Sequence, residues 1–261
     1  MEVFKLWDEV PGYEEGHHIP TLEYYAAEVK RGRGAIVIFP GGGYSHRAEH
    51  EGAGYAKFFN ENGLDAFVLQ YRVHPTRFPY PLLDARRALR FVRANAERFG
   101  IDPQKIAVMG SSAGGHLAAL VSTYSGKIDG EGCDAIDSAS FAPNAQILCY
   151  PVTDIDSHRG SYNNLLGERV EELCERVNPI SICPPNAPRA FIWHTETDTC
   201  VKVASTYKYA MKLRSLGIRH EMHIYPDGWH GMGLAEQSPV VRRWSRDLLF
   251  WLEYIKFIEA N

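Results

Sequence analysis

Six short runs of aliphatic and β-branched residues punctuate this chain: Ala35 to Phe39, Ala66 to Leu69, Ile106 to Met109, Ala145 to Cys149, Ala190 to His194, and Glu221 to Tyr225. Longer stretches with amphipathic spacing lie between them. A short run that is apolar throughout offers no side to water, so it needs cover above and below as well as a neighbour at each edge. Strands alternating with helices meet that need as a mostly parallel sheet with helices on both faces, an α/β fold. Leu82, Ala85, Leu89, Val92, Ala96 and Phe99 fall on one face of a predicted helix that ends before Gly100. Arg86, Arg87, Arg90 and Arg93 occupy its other face, the pattern of a solvated surface. Val241, Trp244, Leu248, Trp251, Ile255 and Ile258 predict a closing helix.

Two regions break this rhythm. Residues 1 to 34 hold Pro11, Gly12, Gly16 and Pro20 among scattered polar residues and read as an antiparallel start to the sheet. Residues 155 to 188 are long for a strand-to-strand connection. They contain an acidic helical segment, Glu168 to Val177, stopped by Asn178-Pro179 and Pro184-Pro185, and are expected to form a small cap within a single domain of 261 residues.

The composition excludes several classes. A net charge of −4 argues against a nucleic-acid partner. No apolar run approaches the roughly 18 residues of a membrane span. Met1 to Glu9 has neither the basic start nor the apolar stretch of a secretory leader, so the expectation is a cytoplasmic protein with no membrane partner. Cys133, Cys149, Cys174, Cys183 and Cys200 are odd in number and form no C-x-x-C pair, which predicts reduced, structural thiols. His17-His18 lacks acidic or cysteine partners at ligand spacing, so no metal site is expected there.

The chemistry concentrates at Gly110-Ser111-Ser112-Ala113-Gly114, between the run ending at Met109 and an Ala/Leu-rich helical stretch. A G-x-S-x-G pattern at a strand-to-helix turn is a nucleophile elbow, in which glycines leave out side chains that would collide where strand and helix come close. The pattern arises by chance about 0.1 times in a chain of this composition, so its context has to support it. A serine hydroxyl needs a histidine to take its proton and an acid to orient that histidine. In chains with this elbow the order is Ser, then Asp or Glu, then His, each on a loop after a strand. Asp198 follows the run ending at His194, and His230 follows the run ending at Tyr225. Glu196 and then Asp154 are the rivals for the acid, whereas Asp227 lies too near His230 along the chain.

Pro40-Gly41-Gly42-Gly43-Tyr44 directly follows the first core run. Acyl transfer builds negative charge on a carbonyl oxygen, and a preset N–H aimed at it contributes about 2.7 to 4 kcal/mol. The N–H groups of Gly42, Gly43 and Ala113 are therefore expected to form an oxyanion hole. Tyr44, Tyr71 and Trp229 adjoin these loops, and Tyr44 and Trp229 are candidates for an aromatic substrate surface. His116, one turn into the elbow helix, reads as a hydrogen-bonded core residue.

With Gln70-Tyr71-Arg72-Val73, Phe78-Pro79, Asp84, Phe99-Gly100-Ile101-Asp102-Pro103 and Gly110 to Leu117, the chain resembles the HGGG-loop esterase/lipase branch of the α/β-hydrolase superfamily over about residues 34 to 235. Within that branch it is similar to acetyl-xylan-esterase-like and bacterial feruloyl-esterase-like carbohydrate esterases. The resemblance implies an eight-stranded sheet and a triad matching Ser112, Asp198 and His230. It also implies hydrolysis of carboxylic esters without a cofactor. Acetylated sugars or xylan fragments are the expected substrates, as small molecules or oligosaccharides. Pro40 replaces the histidine that steadies the loop in many relatives, and the hole is expected to survive because glycines supply its N–H groups. An amide hydrolase with the same triad and a non-catalytic binding protein on this scaffold remain alternatives, as does assembly into a homo-oligomer.

Overall fold

Eight strands form one sheet in the computed structural model, which describes every residue except Cys133 and Asn261. They are β1 (Glu2–Lys5), β2 (Thr21–Tyr25), β3 (Ala35–Phe39), β4 (Asp65–Gln70), β5 (Ile106–Ser111), β6 (Ala145–Cys149), β7 (Arg189–Thr195) and β8 (His220–Tyr225), in the spatial order β1-β2-β4-β3-β5-β6-β7-β8. Strands β3 to β8 run parallel, while β1 pairs antiparallel with β2 and β2 antiparallel with β4. This is the α/β-hydrolase fold, with the antiparallel start expected of residues 1 to 34.

Helices α1 (Ala53–Glu61), α2 (Tyr80–Ala94), α3 (Ala96–Phe99), α4 (Ser112–Thr123), α5 (Arg159–Leu166), α6 (Val170–Leu173), α7 (Pro179–Ile182), α8 (Ala204–Ser215) and α9 (Arg243–Tyr254) complete the chain. The two-residue period of a strand splits β3 between two cores. Ala35, Val37 and Phe39 pack with Leu82, Leu89, Leu117 and Leu213 from α2, α4 and α8. Ile36 and Ile38 face Tyr55, Phe59, Trp244 and Leu248 from α1 and α9. All five β3 residues are buried, which explains why their run carries no alternation of polarity.

Two expectations need correction. The stretch predicted as one helix up to Gly100 breaks at Asn95 into α2 and α3, and its arginines are not solvated. Arg86, Arg87 and Arg90 are buried. Arg86 bonds Glu131 at 2.9 Å and Tyr124 O at 2.5 Å, Arg87 bonds Asp134 at 2.5 Å and Leu6 O at 2.7 Å, and Arg90 bonds Glu131 at 3.1 Å. The connection between α4 and β6 folds back over this face and brings the carboxylates with it. Helical spacing identifies the side that meets the sheet, not what later covers the other side.

Residues 155 to 188 form short helical pieces rather than one acidic helix: α5, α6 and α7, with 3-10 turns at Gly167–Arg169 and Cys174–Val177. Asn164 of α5 donates to Gly43 O at 2.8 Å, and Val177 O lies 2.8 Å from His116 Nε2, so the segment rests on both the glycine loop and the elbow helix. Among the described residues no helix is long and apolar enough to cross a membrane.

Candidate active site

The loops after β3, β5, β6, β7 and β8 leave the same end of the sheet from strands that are side by side, so residues far apart in sequence meet there. Ligands of open α/β sheets bind at the carboxyl ends of the strands.

The elbow between β5 and α4 is held by its glycines. A Cβ on Gly110 would stand 2.1 Å from Gly114 O, and one on Gly114 would stand 2.0 Å from Phe39 O. Ser112 itself takes φ +53°, a left-handed conformation that costs a non-glycine residue of order 1 to 3 kcal/mol. That strain lifts the serine out of the strand and sets it at the N-terminus of α4, whose dipole favours negative charge.

Ser112 Oγ lies 2.8 Å from His230 Nε2, and His230 Nδ1 lies 2.7 Å from Asp198 Oδ2. Since the carboxylate can only accept, Nδ1 carries the hydrogen and Nε2 is left to accept from the serine. Burial opposes the charge on Asp198, but donors from His194, His230 and the Val201 N–H outweigh it and hold the carboxyl well below its usual range. Its Oδ1 accepts N–H from Cys200 and Val201, both at 2.9 Å. The two rival acids are engaged elsewhere. Glu196 accepts from the Tyr207 hydroxyl on the surface, and Asp154 pairs with Lys208 at 2.8 Å.

The glycine loop comes close to Ser112: a Cβ on Gly41 would lie 3.2 Å from Ser112 Cβ. Gly42 at φ +125° and Gly43 at φ +63° turn the backbone in ways that side chains resist. Among the described residues, neither Gly42 N–H nor Gly43 N–H meets an acceptor. Ala113 N–H lies in the first turn of α4, where N–H groups have no partner within the helix. With Pro40 in place of a histidine, the loop is held by its flanks. Tyr71 donates its hydroxyl to Pro40 O at 2.6 Å, and Gly41 N–H donates to Glu51 Oε2 at 2.8 Å.

The aromatic surface expected from Tyr44, Tyr71 and Trp229 is only partly present. Tyr44 is buried, and its hydroxyl lies 2.7 Å from His116 Nδ1, so it belongs to the core instead of contacting substrate. Tyr71 is buried as well. Trp229 remains 57% exposed, beside a groove of about 390 Å³ lined also by His50, Met232, Leu234, Glu236 and Gln237. His116 is a core histidine: burial pulls it down to about 4, and its Nε2 donates to Val177 O.

Sequence reasoning missed His194, Glu51 and Tyr150. His194 Nε2 lies 3.1 Å from Asp198 Oδ2, and its Nδ1 lies 2.8 Å from the Thr206 hydroxyl. In the sequence His194 is only the last residue of an apolar run, and no short motif marks it. Cys149, Cys174, Cys183 and Cys200 are free thiols, and Cys133 lies outside the described residues. Among the described residues no group of three or more His, Cys, Asp or Glu is placed to hold a metal ion. His18 Nε2 lies instead 3.0 Å from Gln70 O, and His17 Nδ1 3.1 Å from Thr76 Oγ1.

The chain is similar to known proteins over most of its length. The sequence profile of the BD-FAE family matches residues 22–213. Endo-1,4-beta-xylanase B of Butyrivibrio fibrisolvens is 34% identical over 89% of this chain, and the acetylxylan esterase of Xylanibacter ruminicola is 32% identical over 85%. The chain spans only 38% and 45% of the length of those two relatives. The solved structure of an acetyl ester-xyloside bifunctional hydrolase from Caldicellulosiruptor lactoaceticus superposes with a TM-score of 0.93 at 38% identity, covering 98% of this chain and 97% of the other.

Proposed function

The chain belongs to the BD-FAE family, and from that premise we propose that it is a serine carboxylic-ester hydrolase that removes small acyl groups, acetyl first, from sugars of the xylan type. The observation that carries the chemistry is the continuous relay from Ser112 Oγ through His230 to Asp198, at 2.8 and 2.7 Å.

As His230 Nε2 takes its proton, Ser112 Oγ attacks the ester carbonyl. Negative charge collects on the former carbonyl oxygen, where the N–H groups of Gly42, Gly43 and Ala113 receive it. His230, now doubly protonated and held by Asp198, passes its proton to the departing alcohol oxygen, leaving the acyl group on Ser112. Water then enters, gives a proton to His230 and attacks the acyl carbon. Collapse of the second tetrahedral intermediate releases the acid and returns the proton to Ser112.

Two facts support the sugar ester. One relative is named an acetylxylan esterase and a near-identical fold an acetyl ester-xyloside hydrolase. In addition, Trp229, the residue before His230 in the chain, presents an open indole to a groove that Glu236 and Gln237 also line, a combination that suits a pyranose face and its hydroxyls.

The test is Ser112→Ala assayed on 4-nitrophenyl acetate, acetylated xylo-oligosaccharides and aminoacyl anilides. The expected result is a loss of at least ~10⁴ in ester turnover with unfolding unchanged. Retained turnover in Ser112→Ala, or a native enzyme that prefers the anilides, would overturn the assignment.

A further inference from the structure

Glu51 is a carboxylate only 2% exposed, at the end of a 3-10 turn (Glu49–Glu51) just beyond the glycine loop. Both of its oxygens are used. Oε2 accepts from Gly41 N–H at 2.8 Å, and Oε1 accepts from the Tyr150 hydroxyl at 2.5 Å. That hydroxyl in turn accepts from Gly233 N–H at 3.1 Å, three residues past His230. The Tyr150 ring also stands edge-on to the His230 imidazole, with centroids 5.1 Å apart and planes at 71°. Tyr55 closes the group, with its hydroxyl 3.3 Å from that of Tyr150 and 3.0 Å from Ser111 Oγ, next to the nucleophile.

Burying a carboxylate costs several kcal/mol unless its oxygens are bonded, and an apolar side chain of similar size would fill the same space without that cost. Here the oxygens join the loop after β3 to the loop after β8, with Tyr150 reaching from the end of β6 between them. At the surface the same two loops also meet where His50 Nε2 lies 3.0 Å from Gly231 O, so the buried tie is the one that reaches Gly41 beside Ser112. Tyr150 is itself held at φ +37°, a strained backbone for a large side chain.

We propose that Glu51 and Tyr150 are positioning residues that set the oxyanion loop and the His230 loop at one separation across Ser112. The inference rests on reading Ser112, His230 and Asp198 as the triad. An oxyanion donor is effective only within a few tenths of an ångström of its place, whereas ester binding in the ground state tolerates slack. Loosening the tie therefore lowers kcat and leaves KM nearly unchanged.

The experiment compares Tyr150→Phe, Glu51→Gln and Glu51→Ala with native enzyme and Ser112→Ala on 4-nitrophenyl acetate, each also followed by thermal unfolding. Tyr150→Phe keeps the ring and removes one oxygen, so kcat should fall about 10-fold with KM within about 2-fold. Glu51→Ala should cost about 100-fold in kcat, and Glu51→Gln should recover most of it, because an amide oxygen still accepts from Gly41 while its NH₂ donates to Tyr150. If Glu51→Ala does not fold, Tyr150→Phe and Glu51→Gln decide. Native kcat in Tyr150→Phe, or a raised KM at native kcat, overturns the proposal. Activity surviving in Ser112→Ala overturns the triad reading instead, so the two failures are told apart.

Discussion

His194 and His230 share a single oxygen: Asp198 Oδ2 lies 3.1 Å from His194 Nε2 and 2.7 Å from His230 Nδ1. The two imidazoles stand in different positions. His194 is fully enclosed, accepts from the Thr206 hydroxyl and also points Nε2 at Val201 O, 3.1 Å away, so both of its nitrogens are committed. His230 keeps Nε2 turned to Ser112. One histidine thus anchors the acid while the other is free to exchange a proton.

Replacing Asp198 with Asn tests what that acid does. An amide either presents its NH₂ to both histidines, driving His230 toward the wrong tautomer, or keeps its oxygen on them and turns its NH₂ toward the N–H groups of Cys200 and Val201, where donor meets donor. The expected outcome is a fall of about 10⁴ in kcat on 4-nitrophenyl acetate with little change in KM. A fall under 10-fold would show that another acid supports His230.

Gly114 and Gly54 give opposite expectations for the same substitution. Gly114→Ala puts a methyl 2.0 Å from Phe39 O and 2.5 Å from Pro40 O, both backbone, so the elbow helix has to move away from β3. A loss of more than about 3 kcal/mol, or no soluble protein, is expected. Gly54→Ala on α1 meets nothing within 4 Å and should stabilise by about 0.5 to 1 kcal/mol. Urea unfolding of both variants provides the comparison.

His116 gives the folded protein a pH dependence with a definite sign. Burial pulls its imidazole down to about 4, against ~6.5 in an unfolded chain. Between those values the unfolded chain binds a proton that the folded chain refuses, so this group's contribution is intact above ~6.5 and is lost as the pH falls toward 4. The loss amounts to about 3 kcal/mol at the acid end. His116→Gln does not titrate, so its stability deficit relative to native protein should narrow steadily from pH 7 to pH 4.5 in urea titrations. A constant deficit would show that His116 takes up its proton at the same pH in the folded and unfolded chains.

Trp229 distinguishes sugar recognition from ester chemistry. Trp229→Ala removes an aromatic face from the groove lined by Glu236 and Gln237 without disturbing the core, since the side chain is largely exposed. KM for acetylated xylo-oligosaccharides should rise about 10-fold, the scale of one lost ring contact, while turnover of 4-nitrophenyl acetate stays within about 2-fold. Equal effects on both substrates would place the indole in the acyl site instead.

Strands β3 to β7 were legible because each is enclosed on both faces, and enclosure leaves continuous apolar runs, whereas β8 at the sheet edge is half-buried throughout and mixes polar with apolar residues. The actual strands extend those runs by at most two residues at an end, as at Ile106–Ser111 and Asp65–Gln70. That Ser112, Asp198 and His230 come together was legible because the elbow fixes one position and chain order then restricts the others to two loops. Tyr44 was misread because a position beside the glycine loop says nothing about which way its ring turns, and the ring turned inward to His116. Glu51 and Tyr150 left no local trace, since their partnership spans 99 positions and depends on two loops closing around them. The buried arginines of α2 escaped for the same reason, their carboxylates arriving from more than 40 residues downstream.

The order of strands also sets when the chain acquires reactivity during synthesis. A ribosome that has released residues through Thr195 has delivered Ser112, the glycine loop and seven of the eight strands described, but neither Asp198 nor His230. β8, which docks at the sheet edge, brings His230 last. A growing polypeptide therefore holds Ser112 without its histidine partner until β8 and the loop that follows it have emerged.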